Sequence, residues 1–145
     1  MSYSIDEVHY LIAHNADITR HLATRSFTSR DALTDATHLR EHLGEYGRAA
    51  MELGRARRTA AQKHLPADWI VCHESAQQAT PLPVARVRAA RLAHALGLGA
   101  RIHDITCSIG TEGHALVTAG LQYLGSDLDP SRVIMARHNL NATLP

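Results

Sequence analysis

The sequence predicts an α/β fold, with a helical amino-terminal segment over residues 1–66 leading into the β-α-β-α opening of a parallel sheet over residues 67–145. Three observations carry this. Apolar residues between positions 4 and 65 recur at helical spacing with almost no strand signal. Two short apolar runs, residues 101–105 and 121–127, flank a helix-like segment. Between the first run and that segment lies a loop of small residues, Thr106-Cys107-Ser108-Ile109-Gly110. Strand, tight loop, helix and a second strand ending in an acid is how an open parallel sheet builds a nucleotide pocket at the carboxyl ends of its strands.

The elements follow in order. Val8, Leu11, Ile12, Ile18 and Leu22 fit one amphipathic helix. Residues 26–29 break the pattern, and Thr28 or Ser29 would cap a second helix carrying Ala32, Leu33, Ala36, Leu39 and Leu43 on one face. Gly44 and Gly47 weaken the pattern, so a third helix begins near Glu45 and runs to about His64, before Pro66. Trp69-Ile70-Val71-Cys72 reads either as a buried strand or as an extended connector, and Glu74 to Thr80 holds one or two helical turns. Val84 to Leu96 is a helix ended by Gly97 and Gly99. After the two strands, Asp129 as N-cap and Pro130 at the first helical position open a last helix, expected to bury Val133, Ile134 or Ala136, and Leu140.

Composition bounds what the chain does. At 145 residues, 45% hydrophobic and 20% charged, it has the make-up of one soluble globular domain. No apolar run reaches the length of a membrane span, and the polar, acidic amino terminus is unlike a signal peptide, so a cytoplasmic protein is expected. Cys72 and Cys107 lack disulfide or metal spacing. Net charge is only +1, but Arg55, Arg57, Arg58, Lys63, Arg86, Arg88 and Arg91 cluster in two acid-poor stretches. They are candidates for an RNA-facing surface, with solvated helix faces as the alternative, since no aromatics are interleaved for base stacking.

The chemistry concentrates between Ile102 and Pro130. Small residues in the loop let a backbone approach a ligand closely, and the helix that follows offers unpaired amides and a positive dipole end. Asp127, 17 residues after Gly110, stands where an acid accepts both hydroxyls of a ribose. An ordinary strand-to-helix turn without ligand is the alternative reading. So is a dinucleotide site, because Ser108-x-Gly110-x-x-Gly113 is G-x-G-x-x-G with its first glycine lost. Asp104, a charged residue four before Ser108, instead suits a cofactor bearing an ammonium group.

D-I-T-C-S-I-G followed by Y-L-G-S-D-L-D-P resembles the first two motifs of class I S-adenosylmethionine-dependent methyltransferases, which have a Rossmann-like fold. The resemblance implies S-adenosylmethionine as cofactor, with Asp104 near its amino-acid moiety and Thr106, Cys107, Ser108 and Gly110 in a backbone cradle. It places Asp127 on the ribose hydroxyls and Leu128 against the adenine. Upstream, L-x-R-A-R-R-x-A-x-x-K-H and the stretch from Gln77 to Ala93 are similar to a bacterial methyltransferase group whose longer members carry a THUMP-like RNA-binding domain at the far end. RNA is therefore a candidate methyl acceptor.

The departures are specific. Thr106 and Ser108 stand where the family has glycine, and His103 replaces an apolar strand residue. Only the first two strands of a seven-stranded sheet are identifiable, and no N-P-P-Y-like loop occurs, so no catalytic residue is assigned. The expectation is the amino-terminal, cofactor-binding part of an enzyme, inactive by itself, with a sheet edge open to a partner or a second copy. A non-catalytic interaction module and a nicotinamide-dependent oxidoreductase are the alternatives. His38-Leu39-Arg40-Glu41-His42 matches H-x-x-E-H. With no third ligand evident, no metal is expected.

Overall fold

The computed structural model describes residues 3–144; Met1, Ser2 and Pro145, the outermost positions of the two predicted segments, lie outside them. The chain is mostly helical, with one small parallel sheet. Helices α1 (Ile5–Ala13), α2 (Asn15–Ala23), α3 (Ala32–Leu43) and α4 (Gly47–Gln62) come first. Then follow α5 (His73–Gln78), α6 (Leu82–Leu96), β1 (Arg101–Asp104), α7 (Thr111–Thr118), β2 (Gln122–Gly125) and α8 (Pro130–Thr143).

Differences from the predicted elements have local causes. The single amino-terminal helix is two, bent at His14, where Asn15 is drawn to the Asp68 carbonyl (2.9 Å) and to Arg57 (2.7 Å). Helix α3 begins after Asp31 rather than at Thr28 or Ser29, because the Asp31 carboxylate accepts from the Ser26 and Thr28 hydroxyls and holds the loop closed. Its buried face is Asp35, Leu39 and Leu43, with Leu33 80% exposed and Ala36 also outside. Asp35 repays its burial by accepting the Phe27 amide at 2.9 Å. A 3₁₀ turn at Gly44–Tyr46 precedes α4, which buries the alanine-rich face expected of it.

Residues 69–72 are the extended connector, not a strand. Buried main-chain groups need partners, and here side chains supply them. Arg57 donates to the Trp69 carbonyl (3.1 Å) and Tyr3 to that of Val71 (2.9 Å). Asn139 of α8 accepts the Ile70 amide (2.8 Å) and donates to the carbonyls of Ile70 (2.9 Å) and Ile109 (3.1 Å). Helix α8 accordingly buries Ser131, Met135, Ala136 and Asn139, while Val133, Ile134 and Leu140 stay half-buried.

Two cores result. The larger joins α1–α4 to the 69–72 connector, Ala76, Leu82, Ile109 and Met135. The smaller holds Ala85 and Ala89 of α6, Ala115 and Leu116 of α7, and Leu121, with Ile102 and Tyr123 packed against them. Strands β1 and β2 pair in parallel, Arg101 opposite Gln122 through Asp104 opposite Gly125. Helices α6 and α7, rather than the amino-terminal helices, cover one sheet face. The other carries Arg101, His103, Gln122 and Leu124 and is exposed. Among the described residues no helix is long and apolar enough to cross a membrane.

Candidate functional site

At the carboxyl ends of β1 and β2 lies a cavity of about 840 Å³. Its wall includes Asp104, Thr106, Cys107, Ser108, Asp127 and Leu128. Thr111 and Glu112 of α7, Arg88 of α6, Arg132 of α8 and the Gln78–Thr80 turn complete it. Six of the seven residues singled out in the sequence thus share one cavity. Gly110 does not line it. It turns the chain into α7 with φ of +93° and lies against Leu140 and Ala136 of α8.

Each acid is engaged by protein groups around the loop. Asp104 accepts the Thr106 amide on Oδ1 (3.1 Å) and the Tyr123 hydroxyl on Oδ2 (3.2 Å). Asp127 accepts the Ser108 amide on Oδ2 (3.0 Å) and the Asp129 amide on Oδ1 (3.0 Å). A carboxylate has about four acceptor positions, so each keeps capacity for a ligand. The Cys107 and Gly110 amides are also engaged, by the carbonyls of Ser126 and Cys107. The loop amides of residues 106, 107, 108 and 110 therefore hold the loop itself. The amides without a partner among the described residues are instead those of the first turn of α7, Thr111, Glu112 and Gly113.

The two missing glycines have different consequences. Thr106 has an ordinary backbone, but Ser108 has φ of +48°, in the left-handed region where glycine is the easy choice. Its clamp to Asp127 holds it there. The Oγ of Ser108 and the Oγ1 of Thr111 are buried at the cavity wall with no partner among the described residues.

The thiol of Cys107 is pushed up to about 11, first by burial and then by the charges of Asp127 and Asp104. It is neutral at pH 7 and a packing group, not a nucleophile. Burial, reinforced by Asp104, likewise raises the Tyr123 phenol well above its ordinary value, so Tyr123 remains a donor.

Tyr123 is the residue sequence reasoning missed. Strand alternation offered the signal. Ile102 and Asp104, and Tyr123 and Gly125, face one side, which brings the phenol diagonally to the acid once the register is known. A Cβ at Gly113 would collide with the Tyr123 ring, so this glycine lets the ring lie against α7. Trp69 is buried, as expected, with its ring 5.7 Å from that of His114. His114 and His138 are lowered chiefly by burial, and His103 bonds Ser126.

The arginine cluster is largely committed elsewhere. Arg57 ties Trp69, Asn15 and Thr19 together, and Arg58 donates to the Ser26 carbonyl. Lys63 donates to the Gln77 and Ala79 carbonyls, and Arg88 pairs with Glu112. Arg55, Arg86 and Arg91 are exposed.

Over 74 residues, 51% of its length, the chain is 54% identical to a protein from each of two strains of Mycobacterium tuberculosis. Each is named an uncharacterized S-adenosylmethionine-dependent methyltransferase. The match covers 19% of those proteins, so the chain corresponds to about a fifth of the curated relatives it matches. No family model matches the chain, and no solved structure does.

Proposed function

We propose that this chain is the cofactor-binding portion of an S-adenosylmethionine-dependent methyltransferase, residues 67–145 forming the first part of a Rossmann-like domain and residues 1–66 a helical segment preceding it. The observation that carries this reading is the convergence of Asp104, Asp127, Leu128 and the first turn of α7 on one cavity at the carboxyl ends of two parallel strands. The names of the two relatives support the cofactor's identity.

In this reading the Asp104 carboxylate, held by Thr106 and Tyr123, draws the ammonium of the amino-acid moiety. The α7 amides and the hydroxyls of Ser108 and Thr111 meet its polar atoms. Asp127 accepts the ribose hydroxyls on the lone pairs that Ser108 and Asp129 leave, and Leu128, fully exposed, offers an apolar surface to the adenine. When bound, S-adenosylmethionine supplies an electrophilic methyl group on its sulfonium. The chain contributes positioning, and no residue of it is assigned as catalyst.

A cytoplasmic enzyme acting on RNA, with a THUMP-like domain in the whole protein, belongs to the same proposal. The RNA surface on this chain would rest on Arg55, Arg86 and Arg91 rather than on all seven basic residues. Calorimetry with S-adenosylmethionine and S-adenosylhomocysteine tests the cofactor. Saturable heat is expected with both, and Asp127→Ala should weaken binding about tenfold or more through loss of charge-assisted hydrogen bonds. A folded chain giving no heat with either ligand refutes the reading. Saturable quenching of NADH fluorescence would replace it with a nicotinamide site.

A second reading, a non-catalytic module completed by a partner or a second copy, is supported by the two-stranded sheet, whose outer edges have no partner strand among the described residues and whose face carries Leu124, 62% exposed. Light scattering across a concentration series tests it: a monomer at all concentrations excludes self-association through that face.

A further inference from the structure

The chain carries eleven histidines, and three of them meet far from the cavity. His38 and His42 stand one turn apart on α3, and His21 reaches them from α2, 17 residues earlier. One ligating nitrogen of each can be chosen so that all lie within 4.8 Å of one another. The H-x-x-E-H spacing thus has the third ligand that its local sequence could not reveal.

One hydrogen bond and one longer contact to a carboxylate bear on which nitrogens face inward. His42 Nδ1 lies 2.8 Å from the main-chain oxygen of His38, which can only accept. That nitrogen therefore carries the proton, and Nε2 keeps its lone pair. His21 Nε2 lies 3.9 Å from Asp17 Oδ2. A proton on Nε2, aimed at the carboxylate, leaves the His21 Nδ1 lone pair directed at His38 Nε2, 3.2 Å away. A carboxylate on one imidazole and a main-chain carbonyl on the next is how metal-ligating histidines are held in orientation.

The separation fits as well. Zinc bonds imidazole nitrogen at about 2.0–2.1 Å, which in a tetrahedron sets neighbouring nitrogens about 3.3–3.4 Å apart. The His21–His38 pair already stands at 3.2 Å, and His42, exposed at the rim, needs only a modest side-chain rotation. Arg25, a neighbouring cation, faces the buried carboxylate of Asp35 at 3.9 Å.

We propose that His21, His38 and His42 form a three-histidine site for a divalent transition metal of the zinc type, clipping α2 to α3 across the 24–31 loop. Asp17 orients His21, and the fourth coordination position faces solvent. Glu41, the acid of the H-x-x-E-H spacing, lines a different cavity between α3 and α4, so the site is a structural clip rather than a hydrolytic centre. Nothing in it depends on the cofactor reading.

The test is a competition titration of the chelator-stripped full chain with zinc chloride, alongside cobalt(II) absorption and thermal melting. One tight equivalent, a tetrahedral cobalt spectrum and a zinc-dependent rise in Tm are expected. His21→Ala, His38→Ala and His42→Ala should each weaken that equivalent by about 100-fold or more and abolish the Tm rise, and Asp17→Asn should weaken it about 10–100-fold. His94→Ala, an exposed histidine on α6, should change nothing. His42→Ala is the substitution least able to disturb folding, which far-UV circular dichroism checks, and the cobalt spectrum of the unsubstituted chain needs no variant. Absence of a tight equivalent, or one that survives all three substitutions, overturns the proposal.

Discussion

The two cores of this chain are built on different terms. The amino-terminal helices close around large side chains such as Leu11, Ile18, Leu39, Leu53 and Trp69, all 0–1% exposed. The core of the sheet region holds five buried hydrophobic side chains, three of them alanines, and one face of its two strands is bare. Apolar area removed from water is the main stabilising term, so the helical body carries the stability and the sheet region is held to it. Apolar contact joins the halves where Ile109 and Met135 enter the larger core, and polar stitches fix the geometry: Asn139, Tyr3 and Arg57 fasten the 69–72 connector, and Asn139 links it to the loop after β1 and to α8. The candidate site therefore sits in the less covered half, positioned by hydrogen bonds whose geometry is exact only while the stitches hold.

Breaking the stitch should have the largest effect. Asn139→Ala strands the Ile70 amide and the Ile70 and Ile109 carbonyls in a fully buried place. A loss of about 3–5 kcal/mol is expected in urea unfolding, given the cost of buried unsatisfied groups. A loss below about 1 kcal/mol would mean that area, not Asn139, joins the halves.

A pair of glycine substitutions sharpens the comparison further. In each half an aromatic ring rests on a helical glycine, Phe27 on Gly54 of α4 and Tyr123 on Gly113 of α7. Alanine at either collides with the ring, and overpacking of this kind costs about 1–3 kcal/mol. Gly54→Ala should lower Tm and leave ligand affinity unchanged. Gly113→Ala should lower affinity for S-adenosylhomocysteine as well, because Tyr123 is displaced from Asp104.

Titration of Cys107 gives a smaller effect confined to the sheet half. Its thiol is raised from 9.0 to about 11 in the folded chain. The folded state thus holds its proton more tightly than the unfolded state, so the contribution to stability is full below pH 9 and is lost as pH rises toward 11. Alkylation by iodoacetamide at pH 8 should be slow in the native chain and fast in urea. Cys107→Ser should reduce the decline between pH 9 and 11, leaving the part that Tyr123 contributes at higher pH.

Much of the helical half was legible because its signal is periodic: the buried face of α4 and the cap at Asp129 both follow from local spacing. The sheet half was legible for a different reason, the order of loop and acids, which brought Asp104 and Asp127 to one cavity. What could not be read were partnerships across the chain. Asn139 sits among half-buried Val133, Ile134 and Leu140, and only its approach to Ile70, 69 residues away, explains why the amide rather than the aliphatics is buried. His21 and Tyr123 are the same kind of omission. Asp35 shows the converse, a charged residue on the inner face of α3 because the loop before it needs an acceptor.

Ser108 offers the smallest test. Its left-handed backbone costs about 1–2 kcal/mol for a side-chain-bearing residue, so Ser108→Gly should raise stability by up to about 1 kcal/mol once glycine's greater freedom in the unfolded chain is subtracted. No gain would mean that the clamp to Asp127 already offsets the strain.

The most direct measurement of the central claim is a ¹H–¹⁵N correlation spectrum of the full chain titrated with S-adenosylhomocysteine. Shifts are expected for the amides of residues 104–113 and 126–129, largest at Thr111, Glu112 and Gly113, with α1–α4 unmoved. An unchanged spectrum at saturating ligand, or shifts confined to the helical half, would contradict a cofactor cradle between Asp104 and Asp127.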